Sequence, residues 1–196
     1  MTSQSLLKCA LVFPFLLSCT QTDESVWSEC LELISNDFFV CYNVSEDLAI
    51  FELTAKTRGW IGFGISPSGG MTGADMVIAG VQNSDQKPYL YDRHGVLNGY
   101  PPLDQQQDYE LISASQNDTH TIVRFQRKLD TGDQNDLVIK PESTFIIWSY
   151  NDKDAQSETE ILQHTYRGQL TRRFCSVASE TANQLKNNNS FVAGVS

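Results

Sequence analysis

Residues 59 to 75 read Gly-Trp-Ile-Gly-Phe-Gly-Ile-Ser-Pro-Ser-Gly-Gly-Met-Thr-Gly-Ala-Asp. An apolar strand carrying Gly59, Gly62 and Gly64 runs into a Pro/Gly loop with one methionine near its tip. Glycine weakens a strand because it offers no side chain to pack, so glycines at this density mark a bulge or the close approach of a backbone or ligand. Met71, between Gly70 and Gly73, is badly placed to fill a core. A thioether on a mobile, glycine-built loop suits a soft ligand. This stretch is therefore a candidate binding site.

On either side, from residue 37 to 150, the chain reads as short strands. Ala49, Phe51, Leu53 and Ala55 alternate with polar or exposed neighbours, a period of two. Residues 60–65 and 76–81 are nearly unbroken apolar runs, expected as strands buried on both faces. Further strand candidates lie at 89–91, 109–112, 119–128 and 144–150, with turn signals at 83–85, 99–102, 116–118 and 130–133. No helical stripe exceeds about two turns. A series of about seven to nine strands at this spacing implies an antiparallel β-sandwich. Residues 151–165 form a polar, acidic loop too long for a simple connector, and the Asn/Ser-rich residues 174–196 read as a disordered tail.

The 196 residues suffice for one domain, expected at 35–173 behind an N-terminal segment at 20–34. Residues 1–19 read as a signal peptide. Lys8 precedes the apolar run Ala10-Leu-Val-Phe-Pro-Phe-Leu-Leu17, which is too short to span a bilayer and carries Pro14. The alternative is a lipoprotein box, Leu16-Leu-Ser-Cys19, anchoring the chain through Cys19. Either way the mature protein is expected outside the cell without a transmembrane segment. The formal charge of −10 argues against nucleic acid or anionic lipid as a partner.

Beyond the leader lie Cys30, Cys41 and Cys175, from which one disulfide is expected in an oxidising compartment. Spacing does not choose the pair; Cys30–Cys175, which would tie the chain ends together, is favoured. Sequons at Asn43, Asn117 and Asn188 suit a secreted glycoprotein.

Residues 59–75, Gln107-Asp108-Tyr109, Thr119-His-Thr-Ile-Val-Arg-Phe125 and His164-Thr-Tyr-Arg-Gly168 occur in an order that resembles a DOMON domain. The likeness is to the N-terminal module of the dopamine β-hydroxylase and monooxygenase-X group of copper monooxygenases, and it covers residues 35 to 173. It implies an all-β, immunoglobulin-like antiparallel β-sandwich. Related domains bind b-type haem or sugars and serve as modules beside redox enzymes. The copper domains of that group are rich in His and Met, whereas this chain has only His94, His120 and His164. Where the relatives place a cysteine before the Asp that matches Asp133, this chain has Gly132. The expectation is a stand-alone, non-catalytic module, or a truncated monooxygenase relative lacking the copper domains.

The resemblance implies axial ligation of haem b by Met71 and His164, with Trp60, Phe63 and Ile65 as an apolar wall and Arg167 toward a propionate. Taken singly, Met71 reads as a loop residue and His164 as a solvated histidine; their joint match to one family pattern brings ligation level with that reading. The resemblance also implies a hard-cation site, Ca²⁺ or similar, from the carboxylates of Asp75 and Asp108 and the carbonyls of Met76 and Arg93. The bland reading of both aspartates is capping of backbone N–H groups. A third candidate is a sugar-stacking face from Trp60, Trp148, Tyr89, Tyr91, Tyr100 and Tyr150, although aromatics at strand spacing are more often core. Tyr100-Pro-Pro102 is the expected exposed apolar patch, open to a protein partner as well. His94 and His120 read as structural, and no nucleophile motif is present. The leading function is electron relay or haem sensing with an extracellular redox partner; the alternative is a carbohydrate-recognition or adhesion module with a structural cation.

Overall fold

The computed structural model describes residues 27–174. Ten strands form two five-stranded antiparallel sheets. β1 (Glu29–Ile34), β2 (Phe38–Val44), β3 (Leu48–Ala55), β7 (Glu110–Gln116) and β8 (Thr121–Lys128) make the first sheet, in the order β1-β2-β3-β8-β7. β4 (Ile61–Ser66), β5 (Asp75–Val81), β6 (Pro88–His94), β9 (Ser143–Tyr150) and β10 (Tyr166–Arg173) make the second, ordered β10-β9-β4-β5-β6. The expected all-β sandwich is what the chain forms. The expected signal peptide, Cys19, Cys175, Asn188 and the rest of residues 175–196 lie outside the described residues.

Strand alternation builds the core. In β3 the residues Ala49, Phe51, Leu53 and Ala55 are fully buried, while their neighbours are half-exposed. Phe51 meets Phe63 of the facing sheet at 4.9 Å between ring centroids and stacks on Phe125 of β8 at 5.5 Å. β4 and β5 are buried along their whole length, as the unbroken apolar runs require. One side edge of the sandwich is closed by Arg172 of β10, whose Nε donates to Glu29 of β1 at 2.9 Å. Phe174, the first residue of the expected tail, is buried against Tyr42 and Phe51. β1 likewise belongs to the sheet although it falls within the segment placed ahead of the domain.

The disulfide differs from the favoured pairing. Cys30 bonds Cys41, because the β1–β2 hairpin sets the two residues opposite each other with their Cα atoms 4.0 Å apart. The covalent link therefore joins neighbouring strands of one sheet rather than the chain ends.

A buried ion pair crosses the apolar interior. Arg127 of β8 reaches from the first sheet to Asp75 of the second, and both side chains are completely buried. The guanidinium also donates to the carbonyls of Lys128 at 3.0 Å and Leu137, and lies 5.2 Å from the Tyr109 ring. The second Asp75 donor is the Leu137 N–H at 3.1 Å. Removing one partner of such a pair strands a charge in a medium that cannot solvate it. Arg127→Ala is expected to lose about 3–5 kcal/mol in urea unfolding; a loss within the ordinary surface range would show that the pair does not hold the sheets.

Candidate cofactor cleft and interior acidic cluster

The outer face of the second sheet carries a cleft of about 570 Å³. Its floor follows from alternation in β4. Ile61, Phe63 and Ile65 point into the core between the sheets, so Gly62 and Gly64 occupy the opposite face. A Cβ on Gly62 would fall 2.6 Å from Ser149 Oγ and 3.2 Å from the Trp60 ring. The sheet surface there has no room for a larger residue and stays flat. Three loops rise around it, at 66–74, 96–101 and 151–165.

Met71 and His164 both line this one cleft, together with Trp60 and Arg167. Phe63, expected in its apolar wall, borders the cleft without lending its ring, which alternation turns into the core against Phe51 and Phe125. Each ligand candidate sits on a fastened segment. Ser66 Oγ donates to Gly70 O at 2.6 Å and accepts from Gly69 N at 3.0 Å, while Gly69 and Gly73 take the left-handed backbone that makes the turns. Gly73 N donates to Gly95 O at 2.6 Å and Ala74 N to Met71 O at 3.0 Å. Gly95 is bare because a Cβ there would lie 1.5 Å from the Met71 carbonyl oxygen. The loop expected to be mobile is thus pinned to the end of β6. His164 is held from both sides, by Asn151 Nδ2 donating to Gln163 O at 2.6 Å and Thr165 N to Tyr150 O at 2.9 Å. Burial, and then the nearby Arg167 charge, lower the His164 pKa below 6.5, so its imidazole is neutral at pH 7.

The aromatic residues do not form an open stacking face. Trp60, Tyr89 and Tyr150 are buried, Tyr91 and Trp148 half-buried, and only Tyr100 of the six is exposed, at 53%. His94 Nδ1 pairs with the buried Asp104 at 3.0 Å, and His120 lies beside Thr119 in the β7–β8 turn. Asn117 is exposed in that turn, with its Oδ1 accepting from Thr119 N and His120 N; Asn43 is half-buried on β2 and accepts from Ser28 Oγ.

The acidic residues converge on the other face of the same sheet, but as a different set from the one expected. Asp75, Asp92 and Asp136 each place a carboxylate oxygen within 4.8 Å of the others. The Asp108 carboxylate instead accepts from Gln106 Nε2 at 2.9 Å, and its backbone N–H donates to Asp92 at 2.8 Å. Met76 and Arg93 are ladder partners between β5 and β6. Asp92 Oδ1 and Asp136 Oδ2 are buried without a hydrogen-bond donor, an arrangement whose all-oxygen chemistry fits a hard cation. Asp92 was legible in principle: two residues after the inward Leu90, strand alternation points it inward too.

Burial, reinforced by the neighbouring carboxylates, raises the Asp92 pKa to about 8, and burial outweighs Arg127 in raising Asp75 to about 6. Both pKa values lie above the unfolded one, so the folded state binds more protons between roughly pH 4 and 8 and loses stability as pH rises through that window. Asp92→Asn removes one such group. In EDTA, wild type is expected to lose stability relative to Asp92→Asn by up to about 1.4 kcal/mol per pH unit. Urea midpoints compared at pH 5 and pH 8 check this, and parallel curves would contradict it.

The comparisons with known proteins agree with this architecture. A DOMON domain profile matches residues 34–151, more than half of the chain. DBH-like monooxygenase protein 1 of Gallus gallus is 42% identical over 123 residues, which are 63% of this chain and 20% of that protein. This chain therefore spans about a fifth of that relative's length. Among solved structures, the cytochrome domain of Myriococcum thermophilum cellobiose dehydrogenase superposes with a TM-score of 0.60 at 18% identity, over 78% of this chain and 86% of that one. The cytochrome b domain of pyranose dehydrogenase from Coprinopsis cinerea gives 0.58 at 15% identity, over 71% and 77%. At such identities the structural likeness speaks for the fold alone. The family match, the sandwich and the relative together establish that this chain belongs to the DOMON domain family and resembles the module of the dopamine β-hydroxylase group.

Proposed function

We propose that this protein is a haem b-binding DOMON module, non-catalytic in itself, that relays electrons to an extracellular redox partner. The observation that supports the reading is that Met71 and His164 both line one apolar-walled cleft. The cleft fits the group in three respects. A thioether and a neutral imidazole are a coherent donor pair for haem iron. The glycine-floored sheet face offers a flat bed, and Arg167 lines the same cleft as a cation for a propionate. Trp60 Nε1 is buried in the wall with no acceptor of its own, as a site that awaits a polar ligand atom would leave it. The two solved structures compared above are cytochrome domains of dehydrogenases, which supports the reading.

Bound there, haem b supplies a one-electron couple, and ligation by thioether and imidazole favours electron transfer over oxygen activation. The chain's own residues supply the bed, the two donors and the exclusion of water by Trp60, Ile78 and Ile161. The Cys30–Cys41 disulfide supports placement in an oxidising compartment. Among the described residues no helix is long and apolar enough to cross a membrane.

Titration with hemin tests the reading. Wild type is expected to give the Soret band of a six-coordinate, low-spin haem that shifts on reduction, and Met71→Ala and His164→Ala each to lose that signature. Because the His164 pKa is lowered, the six-coordinate form should persist below pH 6.5. Gly70→Trp, at a position where a Cβ meets nothing nearer than 3.8 Å, should block uptake while leaving the unfolding midpoint unchanged. A wild-type protein that stays colourless sinks the proposal.

A structural cation at the acidic cluster is a second, separate proposal, favoured by the donor-less oxygens of Asp92 and Asp136. Calcium is expected to raise the melting temperature over EDTA, since a ligand of the folded state adds to its stability. No shift at millimolar calcium would rule the site out.

A further inference from the structure

The notable resident of β6 is the Arg93 side chain. It is 1% exposed, yet it faces the cleft side of the sheet, opposite to Asp92. Its guanidinium lies 5.7 Å from the Tyr91 ring centroid and 5.2 Å from that of Tyr100. Nη1 donates to Pro101 O at 2.7 Å, and Nη2 donates to Glu158 O. The Tyr100 hydroxyl donates to the same Glu158 carbonyl at 3.1 Å.

Pro101, Tyr100 and Glu158 belong to two of the three loops that wall the cleft. Asn98, Gly99, Tyr100 and Pro101 line one side, and Ile161 to His164 line another. Glu158 sits at the tip of a tight turn closed by Gln156 N donating to Glu160 O at 2.8 Å. The 151–165 loop is tied near its ends, by Asn151 to Gln163 and by Asp154 to Asn83. Its tip is tied through Arg93 and Tyr100. A planar guanidinium near two aromatic rings, with two of its nitrogens donating to two separate loop carbonyls, is an arrangement that lysine cannot reproduce.

We propose that Arg93 is a positioning residue for the cleft: it clamps the 96–101 loop to the tip of the 151–165 loop, and by fixing that loop it holds His164 on the cleft wall. For its ligand the inference rests on the haem reading, but the clamp itself is open to a test without haem. In apo-protein, glutamyl endopeptidase cleavage after Glu158 and Glu160, both exposed, reads the freedom of the loop tip. Arg93→Ala is expected to speed that cleavage about tenfold or more. In the hemin titration it should weaken binding by about tenfold and convert the six-coordinate spectrum to a five-coordinate one, which free imidazole restores. Restoration by imidazole distinguishes a misplaced His164 from a collapsed fold. Arg93→Lys should fall between wild type and Arg93→Ala. Tyr100→Phe, which keeps the ring and removes one bond to Glu158, should show the same cleavage effect in smaller measure and serves if Arg93→Ala fails to fold. Unchanged cleavage and an unchanged spectrum in a folded Arg93→Ala overturn the proposal. If wild type takes up no hemin, the cofactor reading has failed and the cleavage comparison alone decides the clamp.

Discussion

β4 and β5 are buried on both faces, and a two-layer sandwich covers only one face of each sheet. The interior supplies the first cover, through Phe51, Leu53 and Phe125 of the facing sheet. The second must come from loops, and three long connections fold back over the outer surface to supply it. Trp60, Ile78, Tyr89 and Ala155 form a separate small core beneath them. Because Gly62 and Gly64 present no side chains there, the loops cannot close flush against the sheet. Covering an apolar face that lacks side chains leaves a space, and that space is the cleft. The need to keep water from two strands thus produces the binding site as a by-product of the same packing.

The two faces of this sheet handle polarity in opposite ways. On the inner side the charges are concentrated at one end, where Arg127, Asp75, Asp92 and Asp136 meet near Tyr109. Asp75 and Asp136 share one guanidinium and Asp92 stands beside them without a cation of its own, so the cluster holds surplus negative charge that only protons or a cation can offset. On the outer side the buried guanidinium of Arg93 satisfies loop carbonyls rather than acids. β5 and β6 carry both systems, on alternate residues. A change in the backbone of either strand is therefore felt at the cleft and at the acidic cluster together.

Much of this was legible in the chain. The apolar runs at 60–65 and 76–81, the alternation at 49–55 and the turn signals fixed the sandwich, because those strands announce themselves by period and by glycine. Met71 and His164 were legible as a pair through their motifs, and they do line one cleft. β10 was not legible: Tyr166-Arg-Gly-Gln-Leu-Thr-Arg-Arg173 is an edge strand with little apolar content, and its inward Gly168 makes room for the Trp148 ring rather than packing a side chain of its own. The disulfide needed the register of β1 on β2, which spacing alone does not carry. The acidic cluster needed Asp136, delivered by an irregular loop after β8 whose path no periodicity describes. Asp108 was misplaced for a related reason, since its backbone rather than its carboxylate serves the site.

The Cys30–Cys41 link has a mechanical side. β1 is an edge strand, bonded on one flank only, and an edge strand under tension ordinarily peels one rung at a time. The cystine sits at the second rung of that ladder, so peeling from the amino end stops almost as soon as it starts. A load arriving along the segment before residue 29 passes directly into β2, which is gripped by neighbours on both flanks and must shear rather than unzip. The domain is built to bear a pull at that end without surrendering a strand.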